Sequence, residues 1–586
     1  MRINLVGNFS PNTGLSQDAL ILRGLLTHVF GKDVIICKVP HIHPQCPDAN
    51  VNIFLEVINP SLFSYAKKNI WVPNVEWTYR NWKPYMGMVD EIWTKTKEAY
   101  DLFTELAGET KVIHTGWTSI DKGRPDKKNY SKAIVLVGKN IYRNPKQLIR
   151  AYYHAYQHDP DWYAKFPTLY IPYAPSRIGF FVPAQIMDKV IQLDRELKDA
   201  EYDSLLHECG LAICTSAAEG FGHAVNEAMS AECNLLLSQI RPFTEDLVSD
   251  TSFAQWIETQ GTVDNPDCFG MLVDVKTLSI VNEMKNYVSA GFRARKEISA
   301  RVRKMYEDRH DVFVARMESI LKTSIVEEEL TSALPKEEDL PDVSIITLTR
   351  NRRNFMPLAK YSYMIQSYPE DKLEWVIVDD GDDPIEDTLI GVPNVKYVKC
   401  EPGLSIGEKR NIGVQNAMYD ILCMMDDDDV YPNNSVLHRV AMLLKEPAKQ
   451  CGFCTVIPCY EITKYSSFVN VPPYTLPMSQ RVSEATLVFT RDFWKERSFI
   501  PIQIAEGDTF IHGREHMCRE MSPQEIIVSL VHPKNTSSRK LPEIKEPNGC
   551  HYGFNEQLFA LVSQIGEELN TSCQKESASS GDAPPS

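Results

Sequence analysis

Short apolar segments alternate with helical periodicity through the first half of the chain. Residues 3–6 form an apolar segment, a loop containing Gly and Asn follows through Gly14, and apolar positions then recur with helical spacing from about 16 to 30. Strands are also predicted near 33–38, 51–55, 69–72 and 91–93, and a helix near 97–106. A strand, a glycine loop and a helix in this order are typical of the opening of a Rossmann-like unit.

A second unit of the same kind begins near residue 133 with Ala-Ile-Val-Leu-Val-Gly-Lys. The pattern predicts a helix at about 145–157, a strand at 168–171, a helix near 183–194, a strand at 210–214 and a helix from about 223, with long charged helices at 294–321. The chain is therefore predicted to be α/β, opening with two Rossmann-like domains at 1–128 and 129–322. Ligands bind such sheets at the carboxyl ends of the strands, so we expect a cleft between the two domains.

The second half is organised around an acidic segment. Residues 421–425 are apolar and predict a buried strand, and four aspartates, 426–429, follow directly. The carboxylates are expected where the strand leaves the core, because burying isolated charges is costly. In an extended backbone Asp426 and Asp428 point to one side and Asp427 to the other, so two oxygen ligands can converge on a divalent cation. A solvated acidic turn is the alternative; a calcium loop of the EF-hand type lacks its Gly and Glu here.

Other polar groups follow neighbouring predicted strands of this second α/β block, which we place at 341–555. A strand begins near 343, another ends in Asp379 and Asp380, and Arg410 and Asn411 open a helix. An acidic, Pro-containing linker is predicted at 323–340, and a C-terminal helix and a disordered tail at 556–586, the disorder starting near 571.

Composition narrows the class of protein. At 586 residues the chain is too long to fold around a single hydrophobic core. Its net charge of −16 argues against nucleic acid as a partner. The sequence has no apolar run of about 18–20 residues and no signal peptide at its start, which predicts a cytoplasmic protein without a transmembrane segment. The 14 cysteines are scattered, which predicts reduced structural thiols.

One loop of the first half carries candidate ligand groups. Glu219, Gly220, Phe221 and Gly222 join a predicted strand to a helix that bears Glu227. Glycines let a ligand approach the backbone, free amides at a helix start suit a diphosphate, and carboxylates accept hydrogen bonds from sugar hydroxyls. An alternative is that the two glutamates are ordinary acids favoured by the helix dipole.

This spacing resembles the donor-site signature of GT-B glycosyltransferases related to family 4. The resemblance implies that Glu219 holds the donor sugar at the catalytic centre and Glu227 the ribose. It further implies that Lys139 and Arg143 bind the donor phosphates, that Gly14 faces the cleft, and that transfer retains anomeric configuration without a metal.

The second half resembles the nucleotide-sugar domain of family 2 GT-A glycosyltransferases. The matching segments are the loop after Thr349, the Asp-Asp-Gly at 379–381 and the acidic strand end. The resemblance implies donor binding by Thr349, Asp379, Asp380, Arg410, Asn411 and Asp427. It implies that Asp426 and Asp428 hold Mn²⁺ or Mg²⁺ against the diphosphate. Apart from the resemblance, His532 on a late loop is a candidate for a further metal or phosphate contact or, equally, a surface histidine.

The same family has an acidic pair downstream that supplies the general base. Glu506 and Asp508 fit this pair with one inserted glycine, and we favour Asp508. A base deprotonates the acceptor hydroxyl as it attacks opposite the leaving diphosphate, which inverts configuration.

The sequence therefore predicts a bifunctional glycosyltransferase that uses UDP- or GDP-sugars and a glycan acceptor. One alternative is a single active module joined to a catalytically dead carbohydrate-binding or scaffolding module. A nucleotidyltransferase ranks third, because the second block lacks a glycine- and lysine-rich opening loop. The sequence predicts neither the sugars, the linkages nor the oligomeric state.

Overall fold

The computed structural model describes residues 1–10, 13–41, 46–136, 142–143, 145–173, 181–195, 197–248, 250–326, 334–473, 475–535 and 550–579, the last eight by their backbone alone. The chain forms two compact units. The N-terminal unit comprises residues 1–41, 48–58 and 66–329, and the C-terminal unit comprises 42–47, 59–65 and 330–586.

The N-terminal unit begins with a six-stranded parallel sheet. Its strands are β1 (Arg2–Gly7), β2 (Ile35–Pro40), β3 (Ala49–Leu55), β4 (Ala66–Val72), β5 (Glu91–Thr94) and β6 (Lys111–His114). Their order across the sheet is β2-β1-β3-β4-β5-β6, and every neighbouring pair is parallel. The strands predicted here are confirmed.

A second parallel sheet follows in the same unit. Its strands are β7 (Asn129–Val135), β8 (Thr168–Ile171), β9 (Val190–Gln192), β10 (Cys209–Cys214), β11 (Asn234–Ser238) and β12 (Ala254–Ile257), in the order β12-β11-β10-β7-β8-β9. An antiparallel hairpin of β13 (Thr259–Asp264) and β14 (Met271–Val275) comes next. The helix predicted near 183–194 is wrong: Val190 pairs with Leu169 as a sheet edge, since its short apolar run suits either element.

Helices surround these two sheets. They span Gly14–Phe30, Lys83–Met86, Lys97–Leu106, Lys146–His158, Pro160–Tyr163, Asp199–Glu208, His223–Ser230, Thr277–Ser289 and Gly291–Ser324. The last of them is a single helix of 34 residues. Its C-terminal half buries Phe313 and Met317 in the core that also holds Leu22 and Trp117. This helix therefore fixes the two sheet domains to one another.

The C-terminal unit is built on a mixed seven-stranded sheet. Its strands are β15 (Val343–Thr349), β16 (Leu373–Asp379), β17 (Val395–Lys399), β18 (Ile421–Met424), β19 (Cys451–Cys454), β22 (Ser483–Thr490) and β23 (Cys518–Glu520), in the order β17-β16-β15-β18-β22-β19-β23. A three-stranded sheet combines β20 (Ile457–Glu461), β21 (Ser466–Asn470) and β24 (Ser529–Val531). The predicted α/β class with parallel sheets is confirmed.

Helices of the C-terminal unit span Met356–Met364, Ile406–Asn416, Ser435–Lys445, Arg491–Glu496, Glu506–Ile511 and Glu556–Ser579. The last helix packs Val562 and Ile565 against Tyr460 and Leu530. It also extends past residue 571, where we predicted disorder to begin. Among the described residues, no helix combines the length and apolarity of a membrane span.

Strand register brings three strand ends together. Thr349 at the end of β15 pairs with Asp379 at the end of β16, and Ile346 of β15 pairs with Met424 of β18. These three strands are parallel, so their carboxyl ends lie at one edge of the sheet. The residues that follow them therefore share one site.

Candidate functional site

A cavity of about 850 Å³ opens at this edge of the C-terminal sheet. Its wall includes Thr349 at the end of β15, the four aspartates after β18, Arg410 from the helix Ile406–Asn416, and Glu506 with Asp508 from the helix Glu506–Ile511. The structure thus gathers most of the residues that the sequence predicted for this half.

The acidic segment forms a compact group of oxygens. Asp426, Asp428 and Asp429 each offer a carboxylate oxygen within 4.8 Å of the others, while Asp427 stands apart from this group. The third member, Asp429, was not predicted, because we assumed an extended backbone. The strand ends at Met424 and the chain turns through residues 427 and 428, which brings Asp429 back to the same side.

Basic groups compensate the remaining charge. Arg352 Nη1 lies 2.8 Å from Asp427 Oδ1 and 2.7 Å from Asp428 Oδ2. His532 Nε2 lies 3.1 Å from the same oxygen of Asp428, and its ring packs 4.7 Å from that of Phe355. His532 therefore faces a carboxylate of the group rather than completing it. Arg352 was not predicted, although it lies in the loop that follows β15.

These carboxylates titrate differently. Desolvation raises the pKa of Asp426 to about 6; Arg410 opposes the rise, and Asp428 and Asp427 add to it. Desolvation also raises the pKa of Asp427, whereas Arg352 and His532 outweigh desolvation and lower that of Asp428. Three converging hard oxygens with residual repulsion suit a divalent cation such as Mg²⁺ or Mn²⁺.

The two aspartates of the Asp-Asp-Gly segment have different hydrogen-bond partners. Asp379 is buried and accepts hydrogen bonds from Gly381 N and Tyr397 Oη, at 2.8 and 2.7 Å, which closes the turn. Asp380 Oδ1 accepts one from Lys409 Nζ at 2.8 Å. Its Oδ2 is buried and has no hydrogen-bond partner within the described part of the chain. This oxygen lies 3.9 Å from Arg350 Nη1, and neither Asp379 nor Asp380 lines the cavity.

Asn411 braces the fold instead of lining the cavity. Its Nδ2 donates to Phe499 O at 2.8 Å, and its Oδ1 accepts from Trp494 Nε1 at 2.8 Å and from Phe499 N at 3.0 Å. Protein groups thus take both acceptor positions of Oδ1 and one of the two N–H groups of Nδ2. The role of Asn411 in the nucleotide pocket stays a prediction.

The two downstream acids differ in environment. Glu506 is buried and pairs with Arg410, whose Nε lies 2.7 Å from Oε1. Asp508 is half-buried and lines the cavity. Across the described ranges, no hydrogen bond or ion pair to the Asp508 carboxylate is present. This carboxylate is therefore available to an incoming group.

The N-terminal unit has a cleft of about 380 Å³ between its two sheets. Its lining contains most of the predicted residues of that half: Gly14, Arg143, Glu219, Phe221, Gly222 and Glu227. Lys139 lies outside the described residues. Gly220 does not line the cleft; a Cβ there would lie 2.2 Å from Glu76 Oε2, so this glycine makes room for a side chain rather than for a ligand.

Arg143 and Glu219 hold each other in this cleft. Arg143 Nε lies 2.9 and 2.8 Å from the two carboxylate oxygens of Glu219, and Ser216 Oγ donates to Oε2 at 3.2 Å. Burial alone would lower the pKa of Arg143, but the Glu219 carboxylate outweighs burial and raises it. The predicted phosphate ligand is thus already paired with the predicted sugar ligand.

Glu227 projects from the helix His223–Ser230. Its Oε1 accepts a hydrogen bond from Gln17 Nε2 at 2.6 Å and lies 3.8 Å from Lys122 Nζ. Burial raises the pKa of this carboxyl. The helix starts after Gly222, whose φ of 102° favours glycine.

A buried polar network that forms part of the cleft wall was not predicted. Asp18 pairs with Lys95, and its Oδ1 lies 2.9 Å from His223 Nε2. His223 Nδ1 lies 2.8 Å from Ser119 Oγ, and Lys95 Nζ donates to Asn74 Oδ1 at 3.1 Å. Desolvation would raise the pKa of Asp18, but Lys95 and His223 lower it. Five separate segments supply this network, so no local sequence pattern signals it.

One family model matches part of the C-terminal unit. Residues 344–493 match the model of Glycosyl transferase family 2. This range contains β15, the Asp-Asp-Gly segment, the four aspartates and β22. Residues 344–493 are thus similar to glycosyltransferases of this family, and the match covers about a quarter of the 586-residue chain. No curated protein matches the chain.

Three solved structures resemble parts of the chain at low sequence identity. TarS 1-349 of S. aureus is 17% identical with a TM-score of 0.22, covering 33% of this chain and 58% of that one. The mannosyltransferase PcManGT of Pyrobaculum calidifontis, in complex with GDP-Man and Mn²⁺, is 14% identical with a TM-score of 0.27, covering 44% and 81%. TarM is 13% identical with a TM-score of 0.35, covering 46% and 54%. The chain thus spans little more than half of TarS 1-349 and TarM.

Glu76 allows a test of the N-terminal cleft. Desolvation, with Glu219 and Glu56 adding to it, raises the pKa of Glu76 to about 8. The folded state then keeps a proton that the unfolded state loses above pH about 4.5, so stability falls between these values by on the order of 3–5 kcal/mol. We expect Glu76→Gln to raise the Tm of this unit by several degrees at pH 8 and little at pH 5.

Thermal unfolding of the full chain at both pH values measures this effect. The control is Glu105→Gln, an exposed glutamate of the same unit. A Glu76→Gln shift of equal size at pH 5 and pH 8 would show that the pKa of Glu76 is not raised.

Proposed function

We propose that the C-terminal unit transfers a sugar from a UDP- or GDP-sugar to a hydroxyl of a glycan acceptor, with inversion of configuration. One observation carries the proposal. A single cavity contains both a group of three carboxylates fit for a cation and an unpaired aspartate, Asp508. An inverting transfer needs these two parts, a place for the leaving diphosphate and a base for the acceptor.

The donor end is assigned to the strand termini. Asp426, Asp428 and Asp429 would hold Mn²⁺ or Mg²⁺, and a bound cation stabilises the charge that develops on the diphosphate. Arg410 supports the same assignment, because its buried Nη1 has no hydrogen-bond partner among the described residues. The Oδ2 of Asp380 has no hydrogen-bond partner among the described residues and lies 3.9 Å from Arg350 Nη1, and it would accept a hydrogen bond from a hydroxyl or imide of the nucleoside.

The acceptor end is assigned to Asp508. Its carboxylate would accept the proton of the acceptor hydroxyl as the oxygen attacks the anomeric carbon, on the face opposite the diphosphate. Glu506 is less suited to this step, because its carboxylate neutralises the buried Arg410. No covalent sugar intermediate is involved.

The two acids are separated by matched variants of the full chain. Asp508→Asn is expected to lower kcat by about 10²- to 10⁴-fold with an unchanged Tm, since the Asp508 side chain has no hydrogen bond or ion pair among the described residues. Glu506→Gln should lower the Tm as well, because it leaves the Arg410 charge buried and unpaired. Nucleoside diphosphate release and thermal unfolding measure both. An active Asp508→Asn protein beside an inactive, fully stable Glu506→Gln protein would identify Glu506 as the base.

Cation dependence tests the donor end. We expect EDTA to abolish turnover by the C-terminal unit and added Mn²⁺ to restore it. Asp429→Ala should weaken Mn²⁺ binding at least tenfold, because it removes one of three converging ligands. Electron paramagnetic resonance of bound Mn²⁺ measures this directly, with the exposed Asp371→Asn as control. Mn²⁺ binding unchanged by Asp429→Ala would remove Asp429 from the site.

We further propose that the N-terminal unit is a second glycosyltransferase, retaining and metal-independent. Support comes from its cleft between two parallel sheets. Glu219, in the loop before the helix His223–Ser230, and Glu227, on that helix, both line this cleft. Glu219 would bind the donor sugar and Glu227 the ribose. The pair would then act in sequence on one glycan, since tethering raises the local concentration of an intermediate. The alternative remains one active module beside a carbohydrate-binding one.

Silencing one unit reveals the other. In the full chain carrying Asp508→Asn, we expect residual, EDTA-resistant release of nucleoside diphosphate from a suitable donor, lost on adding Glu219→Gln. Adding Glu105→Gln instead should leave it unchanged. Absence of residual release across a panel of UDP- and GDP-sugars would favour the single active module. Release of pyrophosphate instead would indicate a nucleotidyltransferase.

A further inference from the structure

The glycine between Glu506 and Asp508 has a structural cause. Gly507 N donates a hydrogen bond to Glu484 Oε1 at 3.2 Å. A Cβ on Gly507 would lie 2.8 Å from that oxygen, 3.0 Å from Glu484 Cγ and 3.1 Å from its Cδ. The first of these distances is shorter than real Cβ atoms show and the other two are tight, so a side chain at residue 507 would require the Glu484 side chain to move.

Glu484 belongs to the cavity and was not predicted. It lies near the start of β22 and lines the cavity together with Glu506 and Asp508. Desolvation raises the pKa of its carboxyl to about 7, with Glu506 adding to the rise and Arg410 opposing it. Glu484 thus belongs to the same charge cluster as Glu506 and Arg410. Its Oε1 accepts a hydrogen bond from the backbone N–H of Gly507.

The turn that carries Asp508 is short and strained. Ala505, just before the helix, has a φ of 62°, a conformation that non-glycine residues rarely adopt. The helix Glu506–Ile511 has six residues, so few internal hydrogen bonds hold its first turn. An acceptor for the N–H of Gly507 therefore contributes much of what fixes this turn, one residue before Asp508.

We propose that Glu484 is a positioning residue for the glycosyl transfer of the C-terminal unit, since its carboxyl holds Gly507 and thereby fixes the approach of Asp508 into the cavity. The inference rests on the proposed function of that unit. Glu484 touches neither substrate in this assignment; it acts through the backbone of Gly507. Its loss should therefore reduce kcat while the donor KM changes little.

A double-mutant cycle in the full chain tests the contact. Glu484→Ala and Gly507→Ala should each lower kcat by about ten- to a hundredfold, because small misplacements of a catalytic group are costly. The double variant should lose no more than Glu484→Ala alone, since removing the glutamate leaves room for the new methyl group. Glu484→Gln should keep most of the activity, because its amide oxygen can accept the same hydrogen bond. Gly24→Ala, a helical glycine with open space around it, is the control.

The outcomes separate this inference from the proposed function. Independent, additive losses for the two alanine variants would overturn the inference, and so would a wild-type kcat for Glu484→Ala. A wild-type chain without turnover would instead overturn the proposed function. In that case the Tm values of the same four proteins still decide whether Glu484 and Gly507 are coupled.

Discussion

Charge compensation at the ends of parallel strands is the constraint on which both clefts depend. A parallel sheet delivers the residues after each strand to one edge, and in this protein many of those residues are acids. Two like charges about 4 Å apart cost about 4 kcal/mol at an effective dielectric of 20. Arg352 offsets this repulsion between Asp427 and Asp428, as Arg143 offsets the charge of Glu219. Without these guanidinium groups the acids could not be buried together.

Basic groups compensate some of these carboxylates more fully than others. Asp428 is held by Arg352 and His532, whereas Asp426 retains a raised pKa beside them. Glu506 is neutralised by Arg410, whereas Asp508, two residues on, faces the cavity. A ligand cation would relieve the first imbalance, and an acceptor proton the second. Pairing does not exclude a carboxylate from the acidic group, because Asp428 is paired with Arg352 and also belongs to the group of three converging carboxylates.

Sequence patterns predicted the strands well and the charge partners poorly, for the same reason. Apolar periodicity is local, so β15, β16 and β18 and the acids after them could be read from neighbouring residues. Counter-charges come from distant segments: Arg352 lies 75 residues before Asp427, and Lys95 lies 77 residues after Asp18. The turn that brings Asp429 into the acidic group is likewise set by tertiary structure, namely its contacts with Ser529 and Leu530. The misplaced helix near 183–194 is the local exception, since a short apolar run fits a strand or a helix.

Motif glycines take on a different meaning once the folded structure is considered. We expected Gly220 to let a ligand approach the backbone, but the side chain of Glu76 occupies the space beside it. We described Gly507 as an insertion in the motif, and the side chain of Glu484 occupies the space beside it. In each unit the carboxyl that fills the space has a raised pKa, about 8 for Glu76 and about 7 for Glu484, because it is desolvated beside another acid. Two acids can share a confined space when one of them keeps its proton. In both units, the glycine beside an acid of the motif therefore makes room for a second carboxyl from another element.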